Sequence, residues 1–422
     1  MKMQISKMKA REILDSRGDP TVEVEAVLEN GLTAKASVPS GASTGSREAL
    51  ELRDGEERFS GKGVKKVCRN IEDIIFPAVK DFSVFEQAVI DKKMLELDGT
   101  DNKSKLGANA ILAVSLVVCR VAAQAKGLPL WQYIREVYDL PQGDKYNFPV
   151  PMMNVVNGGE HADSGLDIQE FMVVPSGLKS FEERIMAGAE IYHNLKKIFS
   201  GDNYRVAIGD EGGFAPQLES NKEALEYIGR AIEKSIYDKK DIHTGIDAAA
   251  SEFYDKENEV YNLKLDGVSL DSKNLQAMYE EWIEKYGLEV IEDPMSEFDW
   301  KGWSEFNKDN QERVAIIGDD LLVTNQKLIE EAIERKACNA VLIKVNQIGS
   351  LSETIDSIRL AKENNMKIAV SHRSGETTDD FIADLAVVAE AEYVKFGAPA
   401  RGERVCKYNR IAEIEKNEFL KG

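Results

Sequence analysis

Cysteine and histidine are scarce in this chain, with four of each among 422 residues. Cys68, Cys119, Cys338 and Cys406 are scattered with no paired spacing. That argues against a disulfide framework, a zinc site or a dithiol redox motif, and for reduced structural thiols. So few histidines leave no His-rich metal centre to build. Basic charge is short as well. A formal net charge of −20 disfavours nucleic acid as the primary ligand, because phosphate backbones need a basic surface. No apolar stretch is expected to reach the length of a membrane span. The opening Met1-Lys2-Met3-Gln4-Ile5-Ser6-Lys7 lacks the apolar block of a secretory signal. Low-complexity tracts and short-period repeats are missing too, which argues against solenoids and long disordered tails. What remains is 43% hydrophobic and 30% charged, enough to bury a large core in two domains.

From about residue 205 a short pattern recurs: an apolar strand-like run ends in a charged residue, then a turn, then a helical stretch. The runs end at Glu211, Asp247, Glu292, Asp319, Lys344, His372-Arg373 and Lys395. This is the rhythm of βα units, and the carboxyl ends of parallel strands open onto one face. The expected class is α/β, a modified β/α (TIM-like) barrel over residues 139–422. A smaller α+β lid or capping domain over 1–138 precedes it. An open doubly wound sheet is the alternative. In the first domain, Thr21 to Val27 and Leu32 to Val38 alternate as half-buried strands around the Asn30-Gly31 turn, and Arg11 to Leu14 adds a third to a short antiparallel meander. Helices are expected at roughly 62–75, 83–97 and 107–126, the last buried between layers. In the barrel they fall at roughly 179–199, 219–236, 272–286, 325–335, 350–364 and 378–391.

The charged run-ends carry the chemistry. Asp247, Glu292 and Asp319 could each be a helix cap or Asx turn taken singly. Gathered at one barrel mouth they would repel strongly without a cation, and an all-oxygen set suits Mg²⁺ rather than Zn²⁺. Lys344 and Lys395 sit at the ends of apolar runs, where a solvent-seeking lysine is out of place. Beside a second lysine and a divalent cation, the Lys344 ammonium would be disfavoured and its pKa should fall, leaving an amine to act as general base. Ser371-His372-Arg373-Ser374 offers several donors and a guanidinium suited to phosphate or carboxylate. Pro39 to Gly45 reads as a linker or a mobile lid, and His161 in its glycine-rich turn is weak evidence alone.

These motifs together resemble the enolase family along essentially the whole chain. The resemblance rests on Asp15-Ser16-Arg17-Gly18, Ser40-Gly41-Ala42-Ser43-Thr44-Gly45, Leu106-Gly107-Ala108-Asn109-Ala110 and Asn157-Gly158-Gly159-Glu160-His161. It continues in Gln169-Glu170-Phe171-Met172, Gly209-Asp210-Glu211-Gly212-Gly213, Ile291-Glu292-Asp293-Pro294, Asp319-Asp320-Leu321, Lys344 to Gly349 and Ser371 to Glu376. The continuation His161-Ala162-Asp163 resembles the bacterial form. The resemblance implies reversible dehydration of 2-phosphoglycerate to phosphoenolpyruvate in glycolysis and gluconeogenesis, by a cytoplasmic hydro-lyase using two Mg²⁺ per active site. By that resemblance Asp247, Glu292 and Asp319 hold the first Mg²⁺, and Ser43 helps hold the second. Lys344 removes the C2 proton and Glu211 protonates the departing C3 hydroxyl with help from Glu170. His161, also counted among the catalytic residues, surrounds the small phosphorylated substrate together with Gln169, Ser371, His372, Arg373, Ser374 and Lys395. A Lys or His base with Mg²⁺ stabilising the ene-diolate is the superfamily's known pattern. A homo-oligomer, dimer or octamer, is also implied. Competing readings are a dehydratase or racemase of the same superfamily, or a non-catalytic binding protein on the same fold. Phe396 is larger than the residue expected after Lys395; strand alternation should turn it outward against a helix.

Overall fold

The computed structural model describes residues 3–41, 45–141 and 147–419. The first domain opens with the antiparallel meander β1 (Ile5–Leu14), β2 (Pro20–Leu28) and β3 (Thr33–Ser37), in that order. The first strand begins six residues before the expected Arg11. A register shift between Ile5 and Lys7 breaks its period of two and hides it from the alternation rule. Helices Gln87–Asp98, Ala108–Lys126 and Leu130–Val137 follow. The second of these corrects the expectation about apolar runs. By length and composition it could cross a membrane, yet 83% of its apolar window is buried inside the fold. It is a core helix packed on the meander, which explains why nearly every face of it is apolar.

The barrel strands are β4 (Val150–Pro151), β5 (Met153–Asn157), β6 (Glu170–Val174) and β7 (His243–Asp247). After β7 a small antiparallel flap intervenes: β8 (Tyr254–Asp255), β9 (Val260–Leu263) and β10 (Val268–Leu270). The barrel resumes with β11 (Leu288–Glu292), β12 (Ala315–Gly318), β13 (Ala340–Ile343), β14 (Lys367–Ser371) and β15 (Tyr393–Lys395). Hydrogen bonding runs in the order β4-β15-β14-β13-β12-β11-β7-β6-β5. All neighbours are parallel except β6, which is antiparallel to both β5 and β7. The segment 150–157 closes the ring. Its first residues pair with β15, Met152 N donates to Val394 O at 2.8 Å, and its remainder pairs with β6.

Two of the longer barrel helices escape the apolar-spacing rule. Trp300–Asn310 buries Trp303 and Phe306 but also Gly302, Asn307 and Asn310, so its inner face does not read as apolar. Gly402–Phe419 buries Arg404 and Lys407 beside Tyr408, Ile411 and Ile414. Charged residues on an inner face disguise the period. Phe396 is fully buried and packs on Tyr408 of this helix, with ring centroids 5.5 Å apart, as strand alternation requires.

Candidate active site

The barrel interior is filled by a core separate from the helical layer. It comprises Met152, Met172, Val174, Val290, Ala315, Ile317, Ala340, Leu342, Ala369 and Tyr393. Side chains two positions apart on a strand share a face. Two residues beyond Val290, Ile317, Leu342, Ala369 and Tyr393 stand Glu292, Asp319, Lys344, Ser371 and Lys395. Each inward apolar residue therefore predicts a functional side chain at the mouth, the end where barrel active sites lie. Asp247 pairs in register with Glu292. Glu170 opens its strand instead of ending it, but the antiparallel β6 brings that first residue level with Asp247.

One expected run-end has no strand behind it. Residues 205–210 are loop, with an isolated bridge from Ile208 to Phe214. Ile208 is 47% exposed, so this segment has no second apolar face to bury in a sheet. Glu211 reaches the site on a tight turn closed by Gly209 N donating to Gly213 O at 2.8 Å. The turn is clamped to the end of β5, where Phe214 N donates to Val155 O and Asn157 N to Phe214 O, each at 2.8 Å.

His161, Gln169, Glu170, Glu211, Asp247, Lys344, Ser371, His372, Arg373, Ser374 and Lys395 line one cavity. Lys395 Nζ donates to Asp247 Oδ2 at 2.9 Å and to Glu292 Oε1 at 2.8 Å, and lies 2.9 Å from Glu170 Oε1. Lys344 Nζ pairs with Asp319, whose Oδ1 also accepts from Gln347 Nε2 at 2.8 Å. Gln169 Nε2 reaches Asp247 Oδ2 at 3.4 Å, and Ser371 Oγ donates to His372 O at 3.0 Å. Arg373 forms a two-pronged pair with Glu48 of the first domain, at 3.0 and 3.1 Å. Arg17, also from that domain, brings Nη1 within 3.5 Å of Ser374 Oγ. Ser43 lies outside the described residues.

Charge is unevenly distributed among the carboxyls. Burial raises Glu170 well above the carboxylate range, and the neighbouring Glu211 raises it further. Burial also opposes ionisation of Glu211, but His161, His372 and Lys395 outweigh it and hold that carboxyl well below the usual range. Burial pushes His372 down to about 3, and Arg404 adds to the effect. His161 is lowered by burial and by Lys395. With Asp319 in contact, burial lowers Lys344 but Asp319 outweighs it and the net shift is upward. The lysine is held as an ammonium by a residue also expected to bind metal.

Residues 5–134 match the family model described as Enolase, N-terminal domain, and residues 145–419 match Enolase, C-terminal TIM barrel domain. The chain belongs to the enolase family. An enolase from Corynebacterium kroppenstedtii is 51% identical over 418 residues, covering 99% of this chain and 96% of that relative. An enolase from Nitratiruptor sp. is 49% identical over 414 residues, covering 98% and 96%.

The donor set fits a hard divalent cation such as the enolase resemblance implies. Asp247, Glu292 and Asp319 offer only oxygen, and Glu292 Oε2 is buried with no hydrogen-bond partner. Among the described residues, potential ligand atoms lie within 4.8 Å of one another in His161 with Glu170 and Glu211, and in Asp293 with Asp319 and Asp320. The lysines stand among the three predicted ligands, Lys395 between Asp247 and Glu292 and Lys344 on Asp319. Asp293 is already engaged as a clasp, accepting from Asp319 N at 2.9 Å and Asp320 N at 2.8 Å.

Three contributors lay beyond motif reading. Glu48 pairs with Arg373 from another domain, and Asn154 Nδ2 donates to Glu211 Oε2 at 3.0 Å. Arg404 donates to His372 Nδ1 from the final helix. Only a pairing map could have found the first. Inward alternation along β5 could have found Asn154, two residues after the inward Met152.

Proposed function

We propose that this chain catalyses the Mg²⁺-dependent, reversible dehydration of 2-phosphoglycerate to phosphoenolpyruvate, the reaction of a phosphopyruvate hydratase. The observation that carries this reading is positional. Counting β4 and β5 as one strand, the ring has eight, and Lys344 after β13 stands four strands from Glu170 on β6 in either direction. Lys344 therefore faces Glu170, and with it the neighbouring acid Glu211, across the mouth, and the reading puts the substrate's C2–C3 bond between them.

Lys344 takes the C2 proton in its amine form. Asp319 holds it as the ammonium, so the base is armed when Asp319 turns to another partner. The electron pair left at C2 spreads onto the adjacent carboxylate, beside the fixed charge of Lys395. It then forms the C2–C3 double bond as the C3–O bond breaks. Glu211 delivers a proton, replenished from Glu170, to the C3 hydroxyl, which departs as water. Arg373, with Ser371 and Ser374, binds the phosphate, while His161, Gln169 and His372 shape the acid side of the cavity. Asp247, Glu292 and Asp319 would hold one Mg²⁺ and Ser43 would help hold a second, supplying positive charge to the substrate carboxylate and phosphate.

The division at residues 138 and 139, a cytoplasmic location, and self-association as a dimer or octamer belong to the same proposal. The substrate is a small phosphorylated acid rather than nucleic acid. Ultraviolet absorbance of phosphoenolpyruvate should rise when the protein meets 2-phosphoglycerate with Mg²⁺, and should not rise when Mg²⁺ is chelated. Turnover of a non-phosphorylated hydroxy acid alone would overturn the proposal.

A further inference from the structure

Arg404 is fully buried, yet it does not line the cavity. Burying a guanidinium is costly unless its donors are used. Nη1 donates to His372 Nδ1 at 2.7 Å and to Arg373 O at 2.6 Å. Nη2 donates to Asp210 O at 3.1 Å and to Ser374 O at 2.5 Å. One side chain on the last helix thus ties the turn that presents Glu211 to the strand end that presents His372 and Arg373.

The contact with His372 also has a chemical consequence. A guanidinium has donors only, so the ring nitrogen it faces must be an acceptor. A neutral imidazole that accepts at Nδ1 carries its proton on Nε2. A doubly protonated ring would set N–H against N–H, and burial already holds this imidazole neutral. His372 Nε2 is buried with no aligned hydrogen-bond partner, and Glu211 Oε1 lies 3.3 Å away. Contacts of this kind often tighten only when substrate is bound.

We infer that Arg404 is a positioning residue that fixes the Nε2–H tautomer of His372 and so aims a hydrogen-bond donor at the Glu211 carboxylate. Its influence falls on the step that expels the C3 hydroxyl, not on proton removal by Lys344. This rests on the functional reading above, but the tautomer can be tested without any turnover.

The first measurement uses the full-length protein labelled with ¹⁵N at histidine. Only four histidines are present, and comparison with His372→Gln assigns the ring in question. Between pH 6 and 8, Nδ1 should be unprotonated and Nε2 protonated. A proton on Nδ1 would overturn the inference, and this result needs no Arg404 variant to fold. The second measurement compares Arg404→Met and Arg404→Lys. In Arg404→Met, at saturating 2-phosphoglycerate, exchange of its C2 hydrogen with D₂O should stay near the wild-type rate. Phosphoenolpyruvate formation should fall roughly ten- to a hundredfold, as when an orienting partner is lost. Arg404→Lys keeps one donor and should recover part of that loss with the tautomer retained. If exchange and dehydration fell by the same factor in both variants, Arg404 would be a structural strut only. A wild-type protein that forms no phosphoenolpyruvate would defeat the functional reading while leaving the tautomer result intact.

Discussion

Replacing Asp91 by asparagine should make the protein relatively more stable as pH rises. Asp91 lies on the helix Gln87–Asp98 of the first domain and reaches the N-terminus of Leu351–Glu363 on the barrel. Its Oδ2 accepts from Ser352 N at 3.1 Å and Ser352 Oγ at 2.6 Å, and its Oδ1 accepts from Gln87 Nε2 at 3.0 Å. Those bonds and the helix end favour the anion. Complete burial wins, however, and pushes the carboxyl from 3.8 up to about 6. A carboxyl raised on folding holds its proton more tightly in the folded state. Its stabilising contribution is complete below about pH 4 and is lost as pH rises through 6. A gap of roughly two pH units corresponds to about 3 kcal/mol in all. About half of it, roughly 1.4 kcal/mol, falls between pH 5 and pH 8. Asp91→Asn removes this titration, and any pH-independent cost of the amide cancels in the comparison. Urea unfolding of wild type and variant at pH 5 and pH 8 should show the variant gaining that amount at the higher pH. A stability difference that stays flat, or moves toward the wild type, would refute the reasoning.

Other perturbations probe the site and the core. Gly213→Ala should abolish dehydration without unfolding the barrel, since an added Cβ would lie 2.0 Å from Asn157 Oδ1 and 3.1 Å from Asn154 O. Paired circular dichroism and phosphoenolpyruvate assays check this. Trp303→Ala should cost about 3–5 kcal/mol in urea unfolding, because the ring is fully buried and its Nε1 donates to Ser296 O at 3.1 Å. Chelation of Mg²⁺ should remove turnover, and adding Mg²⁺ back should restore it. Activity indifferent to chelation would remove the cation from the account.

Much of the barrel was legible because its physics is repetitive. Val290–Glu292, Ile317–Asp319, Leu342–Lys344 and Tyr393–Lys395 each place an inward apolar residue two positions before a polar one. A run of residues shows that period by itself. Glu211 broke the rule because a turn carries it, held by the contacts of Phe214 with Val155 and Asn157, some 59 and 57 positions away. The last helix was illegible for the opposite reason: buried Arg404 and Lys407 read as solvent-facing charge until their acceptors are known. The direction of the Lys344 shift could not be read either. It depends on whether Asp319 or a cation is the nearer partner, and spacing along the chain carries no such distance. The pairing of Arg373 with Glu48, from a different domain, is hidden for the same reason.

The division of labour across the barrel mouth is tested most directly by following the C2 hydrogen of 2-phosphoglycerate in D₂O by NMR. Lys344→Ala should abolish exchange altogether. Glu211→Gln should keep measurable exchange while forming no phosphoenolpyruvate. If Glu211→Gln stopped exchange and Lys344→Ala sustained it, the assignment of base and acid to opposite sides would be contradicted.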